Sequence, residues 1–110
     1  MLGKTILIGT LFDFYGALLT SRQREVVSLY YIDNLSLGEI GETLNISRQA
    51  VYDHLHRAEQ VLQEYEGRMG LVQRDRKLKE GLEEIKIGLR KCSCSAREAL
   101  LHKVEQMEKI

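Results

Sequence analysis

Between residues 36 and 47 the chain carries two helix starts eleven positions apart with an asparagine between them, and that punctuation leaves few folds open. Ser36 stands three residues before Glu39, the spacing of a capping box. In that motif the serine hydroxyl accepts from an early helical N–H and the glutamate reaches back to the serine's own N–H. Leu37, Ile40 and Leu44 follow at helical steps. Asn45 is one of the few non-glycine residues that tolerate the left-handed conformation at a helix C-terminus, and Ser47 is a good N-cap two residues later. Leu37 to Leu55 therefore reads as two helices joined by a tight turn, the spacing of a helix-turn-helix. Gly41 marks the expected close crossing of the two helices, where no side chain fits. Ile40, Leu44, Ile46, Val51 and Leu55 are the expected core between them.

The rest of the chain agrees with an all-α protein. Among 110 residues there is no proline and no tryptophan, and 29% are charged, a mix suited to helices rather than to a turn-rich sandwich or barrel. Ile8, Leu11, Phe12, Tyr15, Leu18 and Leu19 place one stripe on a first helix, leaving Ile6, Leu7 and Phe14 off it. Thr20 with Gln23 opens a second helix that turns Val26, Leu29 and Tyr30 inward and ends at Asp33 and Asn34. The helix from Ser47 is expected to weaken at Gly67 and Gly70 after Glu66. A further helix covers Leu71 to Lys91 with Leu78, Leu82, Ile85 and Leu89 as its stripe. Ser95 with Glu98 spaces a third capping box for a terminal helix carrying Ala99, Leu100, Val104 and Met107. This length suits one domain, residues 1–110, with a helix-turn-helix core of three to four helices in 1–66 and a C-terminal helical extension in 67–110.

Taking Val51 as inward and turning 100° per residue, Gln49, Asp53, His56 and Gln60 point most directly outward, flanked by Tyr52 and Arg57. Ser47, Arg48, Gln49, Tyr52, Asp53, His56 and Arg57 are thus the expected nucleic-acid-binding residues, with Arg48 suited to phosphate at the helix N-terminus. Charge is divided against this face. Sixteen basic and sixteen acidic residues cancel over the whole chain. Residues 47–66 hold Arg48 and Arg57 against Asp53, Glu59, Glu64 and Glu66, a net of −2. Residues 67–79 hold Arg68, Arg74, Arg76, Lys77 and Lys79 against Asp75, a net of +4. Arg74, Arg76, Lys77 and Lys79 are accordingly the expected contacts to a phosphate backbone, of DNA or of a structured RNA read by shape.

The run Leu35 to Asp53, LSLGEIGETLNISRQAVYD, resembles the helix-turn-helix of the YlxM family of small bacterial proteins, itself similar to the fourth conserved region of sigma factors. Leu11 to Thr20 (LFDFYGALLT), Gln23 to Glu25, Arg57 to Glu59 and Glu64 to Glu66 match that family as well, so the likeness covers about the first 66 residues, and Ser47 to Asp53 match without change. The resemblance implies an all-α, sigma region 4-like or winged-helix-like fold. It also implies a DNA-binding regulatory role tied to the signal recognition particle pathway, beside whose genes the family's genes lie. The alternative it leaves open is an accessory factor that binds protein or RNA of that particle and does not read DNA. His54 stands where sigma factors carry an apolar residue, so promoter recognition of their kind does not carry over.

Other classes find little support. No nucleophile motif, glycine-rich phosphate loop or carboxylate pair is present, and Glu83 and Glu84 point apart on a helix, so no enzyme and no cofactor is expected. His54, His56, Cys92, Cys94 and His102 lack metal-ligand spacing, and a single residue between the cysteines is too few for an easy disulfide. The apolar stretch Thr5 to Leu19 is split by Asp13, too short to span a membrane and without a small-residue cleavage site, so a cytoplasmic, reduced protein is expected. Spare apolar residues on the first helix and after Leu71 predict a homodimer.

Overall fold

The computed structural model describes residues 2–93 and 95–109, and Cys94, one of the two cysteines considered for metal or disulfide chemistry, lies outside them. Six α-helices follow one another: α1 Leu2–Tyr15, α2 Ser21–Val27, α3 Leu37–Leu44, α4 Arg48–Met69, α5 Leu71–Lys91 and α6 Arg97–Glu108. Among the described residues there is no strand, so the helix-turn-helix carries no β-wing. No described helix is long and apolar enough to cross a membrane. The chain forms two compact units, Met1–Val72 and Gln73–Ile110.

In the first unit α4 is the spine. Its Val51, Leu55, Ala58 and Leu62 recur at steps of four, three and four, and all are buried against Ile8, Leu11 and Tyr15 of α1, Val26 and Val27 of α2 and Ile40 of α3. α1 does not run to Leu19 as its stripe predicts. At Gly16, whose absent Cβ would sit 3.0 Å from the Phe12 ring, the chain tightens into a single 3₁₀ turn over Gly16–Leu18, closed by the Leu19 N–H on the Gly16 carbonyl. Leu19 is thereby turned into the core and Leu18 out of it. Thr20 and Gln23 make the expected capping box. α2 then widens into a π-helical turn over Ser28–Ile32, in which the Asp33 N–H reaches back five residues to the Ser28 carbonyl. Asn34 closes this stretch at φ 58°.

The core also holds a carboxylate. Glu59 occupies an inward position on α4, where it accepts the Tyr31 hydroxyl at 2.7 Å and meets Lys4 Nζ at 3.2 Å. Burial and this carboxylate together push the Tyr31 phenol well above the usual phenol range. Gly67 does not interrupt α4. The helix runs on to Met69 and ends at Gly70, which takes the left-handed φ of 61° that ends so many helices.

The second unit is a hairpin of α5, from Gln73 onward, and α6 joined by a short connection. Leu82 and Val104 are its buried apolar side chains, and Lys86 Nζ bonds Glu108 Oε1 across the pair at 3.0 Å. That hydrogen bond is the main reason the Lys86 ammonium is held above its ordinary pKa. The expected capping box at Ser95 and Glu98 does not form. The helix begins one residue late with Ala96 as its uncapped start, and the Glu98 carboxylate turns outward toward Arg97 at 3.9 Å. The stripe expected to be core is also only partly so, since Leu78, Ile85, Leu100 and Met107 are exposed.

Candidate nucleic-acid interface

Each element of the turn has a local cause. Ser36 Oγ accepts the Glu39 N–H at 3.1 Å while Glu39 Oε1 accepts the Ser36 N–H at 3.0 Å, completing the box that starts α3. The Ser36 backbone N–H, and then its hydroxyl, hold the Glu39 carboxyl below the usual carboxylate range. Asn45 adopts φ 58° and ψ 46°, and both its own N–H and that of Ile46 return to the Gly41 carbonyl. Gly41 is needed because the turn folds back over it, with the start of α4 at Ser47 and Arg48 close behind. A Cβ on Gly41 would lie 2.8 Å from the Ile46 carbonyl oxygen, a backbone atom that cannot swing aside. Ser47 then caps α4 by accepting the Ala50 N–H at 3.0 Å. Leu44 and Ile46 complete the small core against Ile40, Val51 and Leu55.

With the inward stripe of α4 fixed, the opposite side is determined. Ser47, Arg48, Gln49, Tyr52, Asp53, His56, Arg57 and Gln60 are all exposed, and His54 at the edge of the row is half-buried. Two pairs at four-residue spacing order this face. Gln49 Nε2 donates to Asp53 Oδ1 at 3.0 Å, and the Tyr52 and His56 rings stack nearly parallel, 3° apart in plane with centroids at 5.9 Å. Arg48 and Arg57 have no ion-pair partner among the described residues. The face thus offers amide and carboxylate groups suited to base edges and an aromatic platform, with two free guanidinium groups for phosphate.

Arg74, Arg76, Lys77 and Lys79 are exposed in the second unit, on α5. They do not form one patch. Helical spacing puts Arg74 and Lys77 on one flank of α5 and Arg76 and Lys79 on the other, and Lys79 is already paired with Asp75 at 3.2 Å. Three contacts lie outside the helical stripes and caps: Gln49–Asp53, Tyr52–His56 and Glu59–Tyr31. The Gln49–Asp53 and Tyr52–His56 pairs follow from i, i+4 spacing, a signal that could have found them. Glu59 falls one residue after Ala58 within the inward arc of α4, so a carboxylate seeking partners was legible, though Tyr31 as its partner was not. Among the described residues no group of three His, Cys, Asp or Glu is placed to hold a metal ion.

A short capped helix, a left-handed turn residue over a glycine, and a longer helix with a buried stripe and an exposed outer row define a helix-turn-helix protein. Residues 2–107 match the family described as "Putative helix-turn-helix protein, YlxM / p13 like", and the chain belongs to that family, UPF0122. It is 45% identical to a UPF0122 protein of Halalkalibacterium halodurans over 109 residues, covering 98% of this chain and all of that relative. It is 53% identical to one from Thermoanaerobacter sp. over 79 residues, 72% of this chain and 68% of the relative. A Bacillus thuringiensis relative shares 55% over 74 residues, 67% of each chain.

Proposed function

We propose that the protein is a cytoplasmic DNA-binding regulator that places the N-terminal half of α4 in a major groove. The observation that carries this is the outer row of α4. Seven polar or aromatic side chains from Arg48 to Gln60 are exposed on a helix whose other side is locked into the core, so the row is presented in one orientation. Gln49 would read a base edge, Arg48 and Arg57 would hold phosphates, and Arg74, Arg76 and Lys77 would add backbone contacts. No catalytic role is part of this reading.

A second reading has its own support. The α4 segment carries net −2, while the uncompensated cations Arg74, Arg76 and Lys77 lie in the second unit, an arrangement suited to a structured RNA gripped by its backbone. The link to the signal recognition particle rests on the sequence resemblance, and an RNA or protein accessory role there is the form this second reading takes.

Selection from random duplexes decides between them. The first reading expects an enriched site for which Gln49→Ala or Tyr52→Ala lowers affinity by about 1–3 kcal/mol while non-specific binding is nearly unchanged. Failure of folded protein to enrich any duplex, with retention of structured RNA, would replace it by the second.

A further inference from the structure

The hairpin of α5 and α6 is finished on one side only. Turning 100° per residue from the inward Leu82, Lys79 and Lys86 lie within about 60° on one side of α5, and Leu78 and Ile85 within about 60° on the other. From the inward Val104, Leu101 and Glu108 lie on one side of α6, Leu100 and Met107 on the other. In two antiparallel helices that face each other, the same sense of rotation leads to the same side of the pair. The Lys86–Glu108 bond marks one side, and Leu78, Ile85, Leu100 and Met107 share the opposite one. They are 54%, 51%, 43% and 42% exposed, together roughly 400 Å², within the range of about 300–600 Å² in which a monomer's largest apolar patch is often functional.

Three observations say what covers this side. A two-helix unit of residues 73–110 whose buried apolar side chains are Leu82 and Val104 has too small a core to be a finished layer, and two such hairpins make the smallest complete bundle. Gly81 and Gly88 lie on the same edge as Leu78 and Ile85, and a Cβ at either would meet nothing within 4 Å. Large and small residues therefore alternate along that edge, a surface that interdigitates with a copy of itself. A cavity of about 200 Å³ opens between the helices, with Leu78, Leu82 and Met107 as its apolar wall toward this side and Asp75, Lys79 and Glu108 as its charged wall toward the other, so an incoming aliphatic side chain would meet the apolar wall.

We infer that this side of the hairpin is a homodimer interface, in which Leu78, Ile85, Leu100 and Met107 of two copies form the core of a two-fold four-helix bundle. Two such faces bury roughly 800 Å² of apolar side chain, enough for the centre of a standard-sized interface. The inference does not depend on what α4 binds.

Sedimentation equilibrium of the full chain at micromolar concentration tests it, with an expected mass of twice 12.7 kDa. Ile85→Glu combined with Leu100→Glu should give a monomer. Gly81→Leu is the sharper variant, because in the single chain the new side chain enters open space and favours helix, while across a close interface it obstructs. It should raise the dimer dissociation constant roughly tenfold or more with helix content by circular dichroism undiminished. A wild-type monomer overturns the inference, and so does a dimer indifferent to Gly81→Leu, which would place the contact on another face.

Discussion

The Tyr15 hydroxyl donates to Glu66 Oε1 at 2.6 Å across 51 positions of sequence, and each partner also receives a backbone N–H from the start of α5. Leu71 N–H bonds the Tyr15 oxygen and Val72 N–H bonds Glu66 Oε1, both at 3.0 Å. A helix that begins directly after Gly70 has no capping side chain of its own, so Tyr15 and Glu66 supply the missing acceptors to its first two residues, all within the first unit. The Tyr15 ring stacks on Tyr65 as well, which fixes the phenol from the side. Tyr15→Phe removes a donor and an acceptor while keeping the ring. The expected result is a melting temperature lower by several degrees and faster amide exchange at Leu71 and Val72, read by calorimetry and hydrogen exchange.

Two phenols, the buried Tyr15 and the half-buried Tyr31, set an alkaline limit. Tyr15 is raised above 10.0 by burial and then by Glu66, and Tyr31 is raised by burial and then by Glu59. A raised phenol pKa favours the protonated form in the folded state. The stabilisation is therefore complete below the unfolded value near 10 and is lost as pH rises beyond it. Urea unfolding midpoints should hold steady from pH 8 to about 9.5 and fall above about 10. Tyr31→Phe should flatten that fall.

Glu39 sets the opposite limit. Its carboxyl is depressed by the Ser36 N–H, so its share of stability is present at neutral pH and lost as pH falls through the carboxylate range. Glu39→Gln, which removes the titrating group while keeping an acceptor for the Ser36 N–H, should make the low-pH loss of stability shallower, measured by denaturant unfolding between pH 7 and 3.

At Gly41 even a methyl group is excluded, since the atom it would meet is backbone. Gly41→Ala should cost about 1–3 kcal/mol by overpacking, and Gly41→Leu more. Gly67→Ala, where nothing lies within 4 Å, should leave stability unchanged or raise it by a few tenths of a kcal/mol to about 1 kcal/mol. Thermal unfolding of the three variants side by side checks this.

For nucleic-acid binding, replacing Arg74, Arg76 and Lys77 by alanine should weaken every duplex alike. It should also flatten the logarithmic salt dependence by about 0.9 for each phosphate that is no longer neutralised. Lys79→Ala should have less effect, because Asp75 already occupies that ammonium. Filter binding at several salt concentrations separates the two.

The helix-turn-helix was readable because its determinants are local. A capping box, one left-handed asparagine and an N-cap serine act within three or four residues of themselves, and the observed geometry at Ser36, Asn45 and Ser47 follows them. The failures have the same root. Ser95 and Glu98 had the spacing of a box, but a box also needs the chain to enter the helix at the serine, and here the entry falls at Ala96. Leu78 and Ile85 carried the right period for a core, yet periodicity cannot say whether a second helix lies on both sides of a stripe. Tyr15 with Glu66 and Tyr31 with Glu59 join residues 51 and 28 positions apart, and no spacing rule reaches that far. For the outer row of α4, direction was legible because it is the complement of the buried stripe.

Because α4 carries the outer row on its first half and the acceptor for α5 near its end, no short excerpt of this chain keeps the recognition element in working form. A synthetic peptide of residues 36–57 would contain the capping box, the turn and nearly the whole outer row. It would lack the α1 and α2 surfaces that hold Val51 and Leu55 in place, and isolated helices of that length are marginal in water. The smallest piece that holds its own shape extends to Val72, since Leu71 and Val72 tie Tyr15 and Glu66 together.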